Sequence, residues 1–104
     1  MSYFNAVIED KAAFERALDT PLPVFTLFAS ETCGACKAAL PRFAEMAKAH
    51  DGKIKVLILD CANTPRHPKV VRIPTLLIYE KGELVETLEG VSEPSLLQAF
   101  LQYA

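Results

Sequence analysis

Cys33-Gly34-Ala35-Cys36 is the segment of this chain whose residue types and spacing can do chemistry. Two thiols three residues apart can form a disulfide, hold part of a metal site, or pack as small apolar side chains. Three cysteines placed at random would show this spacing roughly 6% of the time, so spacing alone decides nothing. Position decides more. An apolar run, Val24-Phe25-Thr26-Leu27-Phe28-Ala29, ends just before the pair, and a stretch of helix formers from Cys33 to about His50 begins at it. At a helix start the unpaired backbone N–H groups and the helix dipole favour negative charge, so Cys33 is expected to be a partly ionised thiolate. Cys36, one turn further, falls on the same side and within disulfide reach. Gly34, beside a surface turn, suits an accessible thiol better than a packed one. A metal reading needs two more ligands, and Cys61, His50 and His67 form no second paired motif. Neither a metal nor a cofactor is expected.

The elements that must position this pair follow from patterning. Tyr3 to Ile8 reads as a short mixed strand, and Asp10 can cap a helix with Ala13, Phe14, Ala17 and Leu18 on one face. Thr20-Pro21-Leu22-Pro23 ends it. Val24 to Ala29 should be a strand buried on both faces. In the helix from Cys33, Leu40, Phe43, Ala44 and Ala47 form an apolar stripe, Pro41 predicts a kink, and Asp51-Gly52 closes it. Lys53 to Leu59 is a second buried strand, and Asp60 to Ile73, punctuated by prolines, holds at most one short helix. Thr75 to Tyr79 and Glu83 to Leu88 read as a hairpin across Lys81-Gly82. Ser92 can cap a last helix with Leu96, Leu97, Phe100, Leu101 and Ala104 turned inward. The order β-α-β-α-β-(α)-β-β-α implies an α/β fold, a central mixed sheet flanked by helices on both faces.

Composition narrows the functional classes. The 104 residues are 51% hydrophobic and 23% charged, as expected of one compact domain over 1–104. Eleven basic against 13 acidic residues leave a net charge of −2, no footprint for nucleic acid. The longest apolar run, Val56-Leu57-Ile58-Leu59, is far short of the roughly 20 residues of a membrane span. The first 20 residues lack the basic start and apolar stretch of a secretory signal. Three cysteines suit a reducing, cytoplasmic setting rather than a disulfide framework, and a monomer is expected.

With these residues in place the chain resembles the thioredoxin family over nearly its whole length. The strand Val24 to Ala29, the Cys33/Cys36 pair, Lys37, Pro41, the Ile73-Pro74-Thr75 triplet, the Lys81-Gly82 turn and Gly90 recur in the family's order and near its spacing. The resemblance implies a thioredoxin fold and a cis Ile73–Pro74 bond lying against the cysteines. It implies thiol-disulfide exchange on protein disulfides: Cys33 attacks, Cys36 resolves, and an upstream disulfide reductase restores the dithiol. Backbone at Ile73, with surface at Gly34, Gly90 and Val91, would meet the substrate, and Pro74 would keep metal ions from the thiols. The alternative is a thioredoxin-like module dedicated to one partner, binding it with little turnover.

The departures matter equally. Family members usually carry an aromatic residue before the motif, a proline before its second cysteine, and a buried acid and a lysine on neighbouring strands; here those positions hold Thr32, Ala35, Leu27 and Ile58. Deprotonation of Cys36 therefore lacks its usual assistant, with Glu31 and Lys37 as nearby substitutes, and slow resolution is expected. Arg66, His67, Lys69 and Arg72 would place positive charge before Pro74 and could steer acidic partners. Cys61 reads as a packed thiol.

Overall fold

The computed structural model describes residues 3–104; Met1 and Ser2 lie outside the described residues. Asp10 caps α1 (Lys11–Ala17), its carboxylate accepting the Ala13 N–H at 2.7 Å. Strand β1 (Val24–Ala29) is buried at every position. Helix α2 (Gly34–Ala49) follows and runs on through Pro41, which cannot donate to the Lys37 carbonyl. Then come β2 (Lys55–Asp60), β3 (Thr75–Glu80), β4 (Glu83–Glu89) and α3 (Glu93–Tyr103). Lys81 and Gly82, both at positive φ, make the tight β3–β4 turn. Ser92 caps α3 through a reciprocal exchange with Ser95.

The sheet order is β2-β1-β3-β4. Strand β1 pairs in parallel with β2, Leu27 opposite Ile58, and antiparallel with β3, Leu27 opposite Leu76. Alternation along β1 divides the interior in two. Phe25, Leu27 and Ala29 face α2 and α3, where they meet Phe43, Leu96 and Phe100. Val24 and Phe28 face the other side, with Leu18, Phe14 and Tyr79. Phe25 and Phe100 stack at 4.6 Å, fixing α3 against the sheet. Helices thus flank the mixed sheet on both faces, as expected. No helix among the described residues is long and apolar enough to cross a membrane.

Two expectations are corrected. Residues 3–8 form no strand: the Asn5 side chain donates to the Val56 carbonyl (2.9 Å) and accepts the Ile58 N–H (2.8 Å). Asn5 thus meets β2 through its side-chain amide and one backbone bond, its N–H to the Ile58 carbonyl at 3.2 Å, without extending into a strand. Residues 61–74 contain no helix, which is within the expectation of at most one short one, because Pro65 and Pro68 interrupt any run of N–H donors. On α3, Leu96, Ala99 and Phe100 are buried, whereas Leu97 is 50% and Leu101 86% exposed. The sheet covers only the stripe of α3 that faces β1 and β3.

Leu96→Ala should therefore lower stability by about 2–5 kcal/mol, while Leu101→Ala stays within about 0.5 kcal/mol. Urea unfolding followed by circular dichroism separates them, and equal losses would contradict this placement of α3.

Candidate active site

The turn that delivers Cys33 is built from its own hydroxyls. Thr32 donates its N–H to the Ser30 Oγ at 3.2 Å, and the two side-chain oxygens lie 3.0 Å apart. The Cys33 N–H reaches back to the Ser30 carbonyl at 3.4 Å. The turn at Ser30-Glu31-Thr32 is legible in sequence, as a Ser-x-Thr stretch just before a helix. Cys33 then stands with extended backbone as the N-cap of α2, and its Sγ accepts the Cys36 N–H at 3.2 Å. A thiol fills the place usually held by a Ser, Thr or Asp side chain. That amide stands at the positive end of a 16-residue helix.

The two thiols differ in surroundings. Cys33 is half-buried; Cys36 is fully buried among Leu27, Leu40 and Phe43. Burial first, then the hydrogen bond with Cys33, push the Cys36 thiol up to about 12, against a smaller opposing effect of the Ser30 backbone. Leu27 and Ile58, side by side in the register, provide no carboxylate or ammonium to receive or repel its proton. Glu31 and Lys37 are exposed to water.

The other sequence-derived positions assemble around Cys33 unevenly. The Ile73–Pro74 bond is cis, as the resemblance implies, and the Cys33 Sγ lies 3.9 Å from the Ile73 carbonyl oxygen. Gly90 donates its N–H to the Pro74 carbonyl at 3.0 Å, which ties the loop after β4 to the same edge. Gly90 has φ 61°, a conformation that glycine adopts without strain. Val91 and Ile73 pack partly buried on the core that holds Cys36, and Gly34 is exposed with open space around it.

Of the expected cations, Arg66, His67 and Arg72 line one cleft with Cys61 and Ile73, but they do not form a positive patch at the thiols. His67 turns to the opposite face of the sheet, its Nε2 lying 2.8 Å from the Tyr79 hydroxyl, and burial followed by the Lys69 charge holds it below the ordinary imidazole range. It supplies no positive charge to the thiols. Arg72 lies 3.6 Å from Glu89 in an exposed ion pair. Cys61 is half-buried at the end of β2, its N–H bonded to the Ala29 carbonyl at 2.9 Å; burial, then Asp60 and Cys33, push its thiol up. Among the described residues, no three His, Cys, Asp or Glu side chains are grouped to hold a metal ion.

A redox-capable pair at a strand-to-helix junction, facing a cis-proline, can be set beside known proteins. The model of the thioredoxin family matches residues 5–103. A thioredoxin from Rickettsia conorii is 32% identical over 93 residues, covering 86% of this chain and 89% of that one. Thioredoxin 1 from a Nostoc species is 31% identical over 103 residues, 93% and 94% of the two chains. Among solved structures, the thioredoxin of Fasciola hepatica is similar in fold, with a TM-score of 0.85 at 18% identity, over 96% of this chain and 100% of its own. That of Plasmodium falciparum gives 0.83 at 25% identity, again over 96% and 100%.

The burial and raised thiol of Cys36 have a direct readout. Iodoacetamide at pH 7 should label Cys33 in the native reduced protein and leave Cys36 intact, since a thiol at about 12 is only about 1 part in 100,000 ionised there. Peptide mass mapping measures this, and comparable labelling of the two would refute the assignment.

Proposed function

The chain belongs to the thioredoxin family and is a thiol-disulfide oxidoreductase, and from that premise we propose that it reduces disulfides of protein substrates, Cys33 attacking and Cys36 resolving. The observation that carries this reading is the 3.2 Å hydrogen bond from the Cys36 N–H to the Cys33 Sγ, at the one sulfur of the pair that solvent reaches. The Cys33 thiolate forms a bond to one substrate sulfur, the substrate disulfide breaks, and its second sulfur leaves as a thiolate that takes a proton. Cys36, once deprotonated, attacks the Cys33 Sγ and releases the remaining substrate thiol. The substrate has then gained two electrons, and the Cys33–Cys36 disulfide awaits an upstream disulfide reductase.

Extended substrate backbone beside the Cys33 sulfur would lie along Ile73, with Gly34, Gly90 and Val91 as the surrounding contact surface. The exposed Gly34 presents no side chain to obstruct that approach. One domain over residues 1–104, working as a monomer in the reducing cytoplasm, fits the composition and the cysteine count.

The environment of Cys36 favours a second reading. A resolving thiol buried beside Leu27 and Ile58, pushed up to about 12, prolongs the mixed disulfide and so suits a protein that holds one partner rather than turning over many. Turnover separates the two. Repeated reduction of insulin disulfides with dithiothreitol as electron source, abolished in Cys33→Ser, is the result expected for the reductase; stoichiometric trapping of one partner without turnover marks the dedicated module.

The resolution step can be isolated with dithiobis(nitrobenzoate). In a Cys61→Ser background, the first nitrothiolate released reports attack by Cys33 and the second reports Cys36. Below its titration point the thiolate fraction of Cys36 rises tenfold per pH unit, so the second release should accelerate by about tenfold per unit from pH 7 to 9. A flat profile would mean that another group takes the Cys36 proton.

A further inference from the structure

On the sheet face away from the thiols, a cleft of about 400 Å³ opens between α1, the β3–β4 hairpin and residues 64–68. Its size falls within the roughly 300–1,000 Å³ of small-molecule sites, and neither Cys33 nor Cys36 lines it. Phe14, Phe28 and Leu84 make apolar walls, and His67 and Tyr79 stand among them. Phe14 meets the Tyr79 ring edge-on at 5.7 Å and the His67 ring at 5.6 Å. A register shift between β3 and β4 at Ile78/Tyr79 brings Leu84 opposite Tyr79, at the cleft wall.

The hydrogen bonds there determine where each proton sits. The Lys69 backbone N–H points at the His67 Nδ1 from 3.0 Å, and an amide can only donate. Nδ1 therefore carries a lone pair, the ring is neutral, and its hydrogen is on Nε2. At 2.8 Å the Nε2–H is then the donor to the Tyr79 oxygen, and the Tyr79 hydroxyl hydrogen must turn elsewhere. No acceptor for it exists among the described residues, although Tyr79 is only 5% exposed. Burial also pushes the Tyr79 phenol up, so it keeps this hydrogen across the physiological range. A buried donor without an acceptor is unfavourable, and a guest supplying the acceptor relieves that cost.

We propose that this cleft binds a small uncharged molecule with an apolar body about one ring in size and a carbonyl oxygen that accepts the Tyr79 hydroxyl. The charge pattern selects an uncharged guest: Asp10 and Glu15 offset Lys11 and Arg66 in the lining, and the His67–Tyr79 pair is neutral. An anion would lose its hydration against the apolar walls and meet the Asp10 and Glu15 carboxylates in the lining.

The test is a titration of the ¹⁵N-labelled reduced protein with acetophenone and, separately, with ethylbenzene, which has the same body and no acceptor. Acetophenone should give saturable amide shifts at Phe14, Tyr79 and Leu84, and Tyr79→Phe should weaken its binding roughly three- to tenfold, as the loss of one neutral hydrogen bond does. Ethylbenzene should bind the two proteins alike. Shifts that never saturate, or equal affinity of Tyr79→Phe for acetophenone, overturn the proposal. Long-range ¹H–¹⁵N spectra of the unsubstituted protein give a second readout independent of any variant: the His67 proton on Nε2 is the expected result, and a proton on Nδ1 overturns it.

Discussion

Everything chemical in this fold depends on one amide pointing at one sulfur. The Cys36 N–H is directed at the Cys33 Sγ because Cys33 is the N-cap of α2, and it is the N-cap because β1 ends and the Ser30–Thr32 turn intervenes. The parallel pairing of β1 with β2 requires a crossover, and α2 is that crossover, so its start lies at the sheet edge where β1 ends. The thiol is thus placed by topology as much as by local sequence. Pro74 and Gly90, joined to each other by a backbone hydrogen bond, complete the same edge from β3 and β4.

The interior beneath the pair is organised for packing rather than for proton transfer. Leu27 and Ile58 sit where a charged relay would have to be, and they belong to the same apolar cluster as Phe43 and Phe100. A carboxylate there would sacrifice burial and require a partner. What the protein gains is a well-filled core under α2; what it forgoes is a local base for Cys36. The two sheet faces also divide their roles, with the thiols over one and the aromatic cleft under the other.

Much of this was legible from sequence because it rests on short-range rules. The apolar run before Cys33, the helix formers after it, the caps Asp10 and Ser92, and the Lys81-Gly82 turn each involve residues within a few positions of one another. The failures are long-range. Asn5 reads as part of a mixed strand, but it meets β2, more than fifty residues on, through its side-chain amide and a single backbone bond, and no strand forms there. Leu97 and Leu101 share the apolar stripe of α3, yet whether a helical residue is covered depends on where the sheet ends. His67 reads as one of four cations before Pro74; burial against the rings of Phe14, Phe28 and Tyr79, on other elements, and the Lys69 charge hold it below the ordinary imidazole range.

Cys33 holds two posts at once, closing the first turn of a helix and presenting the reactive atom. Serine, the oxygen counterpart, is among the best residues for the first post and incapable of the second. Exchange of that single atom therefore leaves the scaffold with an equal or better start to α2 while silencing it, so an inert serine form reports on chemistry alone and can serve as a folded bystander in any mixture.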